Sequence, residues 1–232
     1  MTFFQIFRCL FVLPISWLSA LLCRRKSIEI RHKKVQGWSR FIIRYLGYQL
    51  DVQGVENIPD NEAIFFVSNH QGTLDPALVI ATCPKPMAFI SKKKNEKLPV
   101  FGSWAISIGV IHFDHETREG NVFMLREAAR ELKAGKRLLI FPEGTRSRGD
   151  QMNPFKAGAL QPAYLAKATI IPVTLNNAYC IDDKKDKNKQ LKITYGKPIR
   201  YEEYKQHKYD EMSDIVYKQI EEHIIYHEKS EG

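Results

Sequence analysis

Short apolar runs alternate with segments of helical periodicity through most of the chain, from about residue 48 onward. The apolar runs do not alternate strictly with polar residues, which is typical of strands buried on both faces. Strands are expected near Gln49–Val52, Ala63–Ser68, Ala88–Ser91, Gly109–Asp114, Leu138–Phe141, Thr169–Leu175 and Leu191–Tyr195. Helices are expected over Pro76–Thr82, Val100–Ser107, Val122–Ala134, Ala157–Ala166 and Glu211–Tyr226. This order predicts an α/β fold with a mostly parallel central sheet flanked by helices.

The N-terminal segment has a different pattern. Residues 2–23 are almost entirely apolar, and Arg24, Arg25 and Lys26 follow at once. A basic cluster in place of small residues argues against a cleaved signal peptide. Two alternatives stay open: a single span with the basic cluster on the cytoplasmic side, or a helix that lies in one leaflet.

A second amphipathic segment follows. Its apolar and aromatic residues recur at helical spacing: Trp38, Phe41, Ile42, Tyr45 and Leu46. Basic residues surround them: Arg31, Lys33, Lys34, Arg40 and Arg44. Such a helix suits an anionic lipid surface, although an ordinary surface helix has the same pattern. The sequence therefore predicts membrane-associating helices over 1–47, an α/β domain over 48–232, and a site at the cytoplasmic face of the cell membrane.

The net charge indicates the kind of partner, and the cysteine and histidine spacing bears on metal binding. Lys and Arg exceed Asp and Glu by 35 to 26, a net charge of +9, which favours an anionic partner. No basic segment has a recognition-helix or RNP pattern, so we expect no nucleic acid. The four cysteines show no paired spacing, and His112 and His115 have no third ligand spaced nearby, so we expect neither a metal site nor a resident cofactor.

The first candidate site follows the strand at 63–68. Asn69 and His70 end the apolar run, Gly72 breaks the pattern, and Asp75 opens a helix in which Pro76 suits the first turn. Five residues of straight helix would leave His70 and Asp75 about 140° apart around the axis, but a non-helical turn would bring them together. A histidine oriented by a carboxylate is a general base towards an alcohol. Alternatively, Asp75 only caps the helix.

The second candidate site follows the strand at 138–141. Gly144 allows backbone N–H groups to approach an oxyanion, and Arg146 can bind a phosphate through two hydrogen bonds. Thr145 and Ser147 can donate to the same phosphate. Glu143 would repel a phosphate, so we expect it to accept from a substrate hydroxyl or to hold an arginine. A polar surface loop is the alternative for this run taken alone.

These motifs together resemble those of the bacterial 1-acylglycerol-3-phosphate acyltransferases, within the wider glycerolipid acyltransferase family. His70 and Asp75 match the first block of the family, Lys94 with Gly109–His115 the second, Phe141–Ser147 the third, and Ile171–Thr174 the fourth. The resemblance covers about residues 38–200. It implies transfer of an acyl group, from acyl-CoA or acyl carrier protein, to the 2-hydroxyl of lysophosphatidic acid, giving phosphatidic acid. Glycerol 3-phosphate or another lysophospholipid is the alternative acceptor.

The resemblance also assigns roles to residues. His70 and Asp75 would be catalytic, and the substrate would be bound by Glu143, Gly144, Thr145, Arg146, Ser147, Arg118 and Lys94. His115 stands where the second block of the family usually has an arginine. Arg118 or one of the lysines Lys92, Lys93, Lys94 and Lys97 would have to replace that cation. The oxyanion would need donors at a helix start or on a nearby side chain.

Overall fold

The computed structural model describes residues 3–156, 158–183 and 188–227, with side chains described from residue 12 onward. The helices in this part of the chain are α1 Phe3–Cys23, α2 Ile28–Tyr45, α3 Asp75–Thr82, α4 Pro99–Ile108, α5 Arg118–Lys133, α6 Gln161–Ala166, α7 Tyr201–Tyr204 and α8 Tyr209–Glu221. The strands are β1 Gln49–Gln53, β2 Ile64–Ser68, β3 Ala88–Lys92, β4 Ile111–Phe113, β5 Arg137–Ile140, β6 Thr169–Asn176 and β7 Gln190–Tyr195. Short 3₁₀ helices lie at Val55–Asn57, Lys93–Lys97 and Ala178–Ile181.

The described strands form one sheet in the order β1-β7-β6-β2-β5-β3-β4. The β6–β7 pair is antiparallel, and every other neighbouring pair is parallel. The predicted α/β fold with a mostly parallel sheet is therefore confirmed. Because β2 lies between β5 and β6 and runs parallel to both, the loops that leave these three strands emerge at the same edge of the sheet.

Helices cover both faces of the sheet, since successive strand residues point to opposite sides. In β2, Ile64 and Phe66 pack with α1–α4, whereas Phe65 and Val67 pack with α5, α6 and α8. All four side chains are fully buried. The continuous apolar runs of the sequence thus reflect burial on both faces, as expected for parallel strands.

The N-terminal helices pack on the α/β core. Ser16 in α1 accepts a hydrogen bond from the Trp104 indole at 2.9 Å. In α2, Arg31 donates to the Ser107 carbonyl and Arg40 to the Ala81 carbonyl, each at 2.6 Å. Two of the basic residues predicted to meet lipid are thus bound to the ends of α3 and α4. Among residues with described side chains, no helix combines the length and apolar character needed to span a membrane.

Several element boundaries differ from the prediction for local reasons. Helix α5 begins at Arg118 and not at Val122, because the Thr117 hydroxyl caps it by accepting from the Gly120 amide at 3.1 Å. Strand β4 begins at Ile111, because Gly109 adopts a left-handed conformation that ends α4. Helix α6 begins at Gln161; Ala157, where the prediction began, lies outside the described residues. Helix α8 ends at Glu221, before the predicted Tyr226.

Candidate active site

The two candidate motifs lie side by side at one edge of the sheet. Strands β2 and β5 are adjacent and parallel, so the loops after Ser68 and Ile140 leave the sheet together. Backbone hydrogen bonds then join the loops: the Ser147 amide donates to the His70 carbonyl at 2.7 Å. The His70 amide donates to the Glu143 carboxylate at 2.6 Å. The sheet topology therefore converts two distant sequence motifs into one site.

The His70 and Asp75 side chains form a hydrogen-bonded pair, with 2.8 Å between His70 Nδ1 and an Asp75 carboxylate oxygen. The chain between them is not helical, because α3 begins at Asp75. The predicted turn is thus confirmed. The Asp75 carboxylate does not cap α3; it points back and accepts from the Gln71 amide at 2.6 Å and the Gly72 amide at 2.9 Å. The helix-cap interpretation is therefore wrong.

Burial gives this pair its chemical character. Asp75 is completely buried, and this burial raises its pKa, although the hydrogen bond from His70 and the backbone amides oppose the shift. The His70 ring stacks on Phe141 with centroids 4.3 Å apart, and its side chain is 20% exposed. When Nδ1 carries the proton that is donated to Asp75, Nε2 is left as an acceptor. The pair can therefore take a proton from a hydroxyl group that reaches the ring.

Buried side chains hold the turn in place. Asn69 pairs with the Leu175 backbone in β6: its amide donates to the carbonyl at 2.9 Å and its oxygen accepts from the N–H at 2.8 Å. Gln71 accepts from the Ala178 amide at 3.0 Å. Gly72 has room for no side chain, since a Cβ there would lie 2.6 Å from the Ala178 carbonyl oxygen. The turn that carries His70 is consequently fixed against β6 and the loop that follows it.

Glu143 has a different role from the one expected. Glu143 is only 3% exposed. One of its carboxylate oxygens accepts from the His70 amide at 2.6 Å, and the other accepts from the Asn153 amide at 2.9 Å. Burial raises its pKa, and these hydrogen bonds counteract the shift. The predicted contact with a substrate hydroxyl or an arginine does not fit this geometry. The Glu143 carboxylate instead holds the backbone of His70.

The remaining residues of the second motif differ in whether they are bonded within the loops or lie at the surface. The Ser147 hydroxyl lies within hydrogen-bond distance of the His70 and Gly149 carbonyl oxygens, at 3.3 and 3.1 Å, so its one donor is used within the loops. Thr145 is exposed and Gly144 has a positive φ of 69°, with the Lys156 side chain lying across it. Arg146 lies at the surface, where its guanidinium contacts Asp182 at 3.3 Å and donates to the Thr73 hydroxyl.

Cations gather near Arg146. The pKa of Lys92, the last residue of β3, is lowered by burial first and then by the nearby charges of Lys94 and Lys156. Glu116 opposes this shift, and Arg146 adds to it. Lys92, Lys94, Lys156 and Arg146 thus bring four positive charges within electrostatic reach of one another, and such a region favours a multiply charged anion.

The other cations and donors that the sequence offered for phosphate or oxyanion binding lie at the surface or are already hydrogen-bonded. Arg118 is exposed in the first turn of α5, and His115 Nε2 lies 3.9 Å from Glu116. Lys92 is one of the lysines that the sequence offered in place of the arginine of the second block, and its position at the end of β3 was a usable signal. Lys156 was not among those candidates. The amides of Gln71 and Gly72, in the turn before α3, donate to Asp75 and are unavailable to an oxyanion.

Comparison with known proteins identifies related sequences. Residues 49–176, more than half of the chain, match the family model described as Acyltransferase. A chloroplastic 1-acyl-sn-glycerol-3-phosphate acyltransferase of Brassica napus is 34% identical over 67% of this chain and 45% of its own length. The Borreliella burgdorferi 1-acyl-sn-glycerol-3-phosphate acyltransferase is 31% identical over 56% of this chain and 52% of its own. The chain thus spans about half the length of these curated relatives.

A solved structure has the same fold. The crystal structure of the 1-acyl-sn-glycerophosphate acyltransferase PlsC from Thermotoga maritima matches 94% of this chain and 95% of its own, with a TM-score of 0.73. The sequence identity is 21%, so this likeness supports the architecture.

Proposed function

The chain belongs to the acyltransferase family, and from this we propose that it moves a fatty acyl group from an acyl thioester to the 2-hydroxyl of 1-acyl-sn-glycerol 3-phosphate. The product would be phosphatidic acid, a step in phospholipid biosynthesis. The observation that carries the proposal is the His70–Asp75 pair, with its 2.8 Å contact and a carboxylate fixed by two backbone amides. The names of the relatives supply the acceptor.

His70 acts as the general base in this proposal. Its Nε2 takes the proton of the 2-hydroxyl while the hydroxyl oxygen attacks the thioester carbonyl, and Asp75 stabilises the imidazolium that forms. The new C–O bond forms, the C–S bond breaks, and the imidazolium returns its proton to the departing thiolate. No covalent acyl-enzyme is needed, because the acceptor hydroxyl attacks directly. General-base catalysis contributes about 10² to 10⁴ in rate, and positioning both substrates contributes the rest.

The acceptor's phosphate is bound by the cations beside the His70 loop. Arg146 offers a planar pair of donors, and Lys92, Lys94 and Lys156 supply further positive charge. A phosphomonoester carries about −1.5 to −2 at pH 7, which matches this region better than a neutral or zwitterionic headgroup does. Lys92 and Lys156 thereby replace the cation that His115 does not supply.

The N-terminal helices hold the enzyme at the lipid surface, with the site on the cytoplasmic face. Apolar side chains of α1 are exposed: Leu13, Ile15, Trp17, Leu18 and Leu22. In α2, Ile30, Trp38 and Phe41 line an open apolar groove flanked by Lys33 and Lys34. Exposed apolar surface bordered by lysines suits a membrane with anionic headgroups, where both acceptor and product reside.

A mass-spectrometric assay of the purified chain tests this function. Acyl-CoA and acyl carrier protein donors are each combined with lysophosphatidic acid, glycerol 3-phosphate and a lysophospholipid with a larger headgroup. We expect phosphatidic acid from the first acceptor. Acylation of another acceptor alone would favour a related acyltransferase, and release of free fatty acid without any acceptor would indicate a hydrolase.

The phosphate assignment has its own test. Arg146→Ala should raise the KM for lysophosphatidic acid while leaving kcat less affected. Removing the phosphate from the acceptor should then have a smaller further effect in the variant than in the unmodified protein. Equal sensitivity to phosphate removal in both proteins would contradict the role of Arg146.

A further inference from the structure

A carboxylate occupies the surface beside the catalytic turn. One oxygen of Asp182 accepts from the Thr73 amide at 2.8 Å and from the Thr73 hydroxyl at 2.9 Å. The same oxygen lies 3.3 Å from the Arg146 guanidinium, which also donates to the Thr73 hydroxyl. A backbone amide, a hydroxyl and a guanidinium therefore converge on a single anionic oxygen.

These donors are the ones that recognise phosphate. Phosphate oxygens accept from backbone N–H groups, hydroxyls and arginine, and such charge-assisted hydrogen bonds are short and strong. These donors also lie beside His70. Thr73 belongs to the loop that carries His70, and the residue after Arg146, Ser147, donates its backbone amide to the His70 carbonyl. The surface beside the base is thus arranged for an anion.

The ion pair between Arg146 and Asp182 contributes little to the stability of the fold. The side chains of Arg146 and Asp182 are 37% and 36% exposed, and exposed ion pairs stabilise a protein by only a small amount. Asp182 follows the 3₁₀ helix Ala178–Ile181, on the loop after β6, so its carboxylate reaches the site from a third strand end. A contact of small structural value at a binding surface is available for exchange with a ligand.

We propose that the Asp182 carboxylate stands in the place of an anionic phosphate oxygen on Thr73 and Arg146, and that the acceptor's phosphate displaces it. This inference rests on the proposed function. Asp182 is then a competitor within the protein. It neutralises Arg146 when no acceptor is bound, and its own charge is repelled once a phosphate arrives. The apparent affinity for the acceptor is reduced by the fraction of molecules in which Arg146 is already paired.

The competition also affects specificity. A phosphomonoester, with its higher charge, displaces a carboxylate more effectively than a phosphodiester does. An acceptor without phosphate does not need Arg146, so Asp182 should not affect its binding. The contact therefore favours acceptors that end in a phosphomonoester.

The test uses the full chain with Asp182→Asn, which keeps the shape and removes the charge. Asp183→Asn is the matched control, because it makes the same change in net charge one residue along. Glycerol 3-phosphate is the probe, and its binding is measured by isothermal titration calorimetry, which requires no turnover. We expect Asp182→Asn to bind the probe about 3- to 10-fold more tightly than Asp183→Asn does.

A double substitution makes the result specific. If Asp182 acts through Arg146, then Asp182→Asn in an Arg146→Ala background should alter probe binding by less than about twofold. Unchanged or weaker binding in Asp182→Asn alone, relative to Asp183→Asn, would overturn the proposal, because it would mean that Asp182 is idle or that it positions Thr73.

Acyl-transfer kinetics separate this proposal from the proposed function. With lysophosphatidic acid, Asp182→Asn should lower KM by a similar factor and leave kcat nearly unchanged, and with 1-acylglycerol it should change neither. Tighter probe binding without acyl transfer to any acceptor would support the anion exchange and contradict the function. Normal acyl transfer with unchanged probe binding would support the function and contradict the anion exchange.

Discussion

Gly72 offers the sharpest test of the catalytic turn, because the structure leaves no room for a side chain there. A Cβ would lie 2.6 Å from the Ala178 carbonyl oxygen, whereas ordinary contacts begin at 3.4 Å, so the turn or the carbonyl must move by about 0.8 Å. The same Cβ would touch the Asp75 carboxylate at 3.4 Å. The displaced residue also carries the amide that donates to Asp75. Gly72→Ala therefore disturbs the catalytic pair directly.

The expected effect is mainly on catalysis. Overpacking in a buried site costs about 1–3 kcal/mol. For a chain of this size that corresponds to a fall in Tm of about 2–4 °C for each kcal/mol. A misplacement of about 1 Å lowers the rate by about 100-fold. We therefore expect Gly72→Ala to fold, to melt several degrees lower, and to lose about two orders of magnitude in kcat.

The matched control is Gly149→Ala. A Cβ at Gly149 meets nothing within 4 Å, although this glycine lies in the neighbouring loop. Thermal unfolding and steady-state acyl transfer measured on both variants give the comparison. If Gly72→Ala keeps the kcat of Gly149→Ala, then the close packing of the turn against Ala178 does not hold the base, and the reasoning is refuted.

Three further predictions concern the surroundings of the base. Glu143→Gln should lower kcat and leave KM for the acceptor nearly unchanged, because the amide turns a donor towards a backbone N–H; a selective rise in KM would restore the predicted substrate contact. In pH profiles, kcat should fall on the acid side above the ordinary carboxyl range, since the raised pKa values of Asp75 and Glu143 make both protonate earlier as pH falls; an acid limb at pH 4 or below would contradict the burial effect. Lys92→Ala should raise the KM for lysophosphatidic acid more than Arg118→Ala does, because Arg118 is exposed in α5; the opposite order in steady-state assays would reassign the cation.

The order of strands and helices could be predicted because it depends on local pattern. The seven predicted strands are present, and in β2 and β6 the lack of alternation reflects burial on both sides of the sheet. Boundaries set by single side chains could not be predicted as well. Thr117 caps α5 ahead of the first apolar residue, and Gly109 ends α4 where the apolar run suggested the start of a strand.

The site was predictable in its chemistry but not in all of its contacts. A non-helical turn between His70 and Asp75 was one of two interpretations of the sequence, and it is the one that brings their side chains together. Whether Glu143 faces a substrate or the His70 amide depends on how two strand-end loops meet, which no local pattern encodes. Asp182 stands at the start of a charged run typical of a solvated loop, so only the sheet order brings it to Arg146.

The central claim is that His70 removes the proton from the acceptor's hydroxyl. The most direct measurement is single-turnover formation of phosphatidic acid from lysophosphatidic acid and acyl thioester by the unmodified chain and by His70→Ala, with thermal unfolding as the check on folding. We expect the variant to fold normally and to lose at least about 100-fold in rate, the lower range for general-base catalysis. A folded variant with a nearly normal rate would contradict the account.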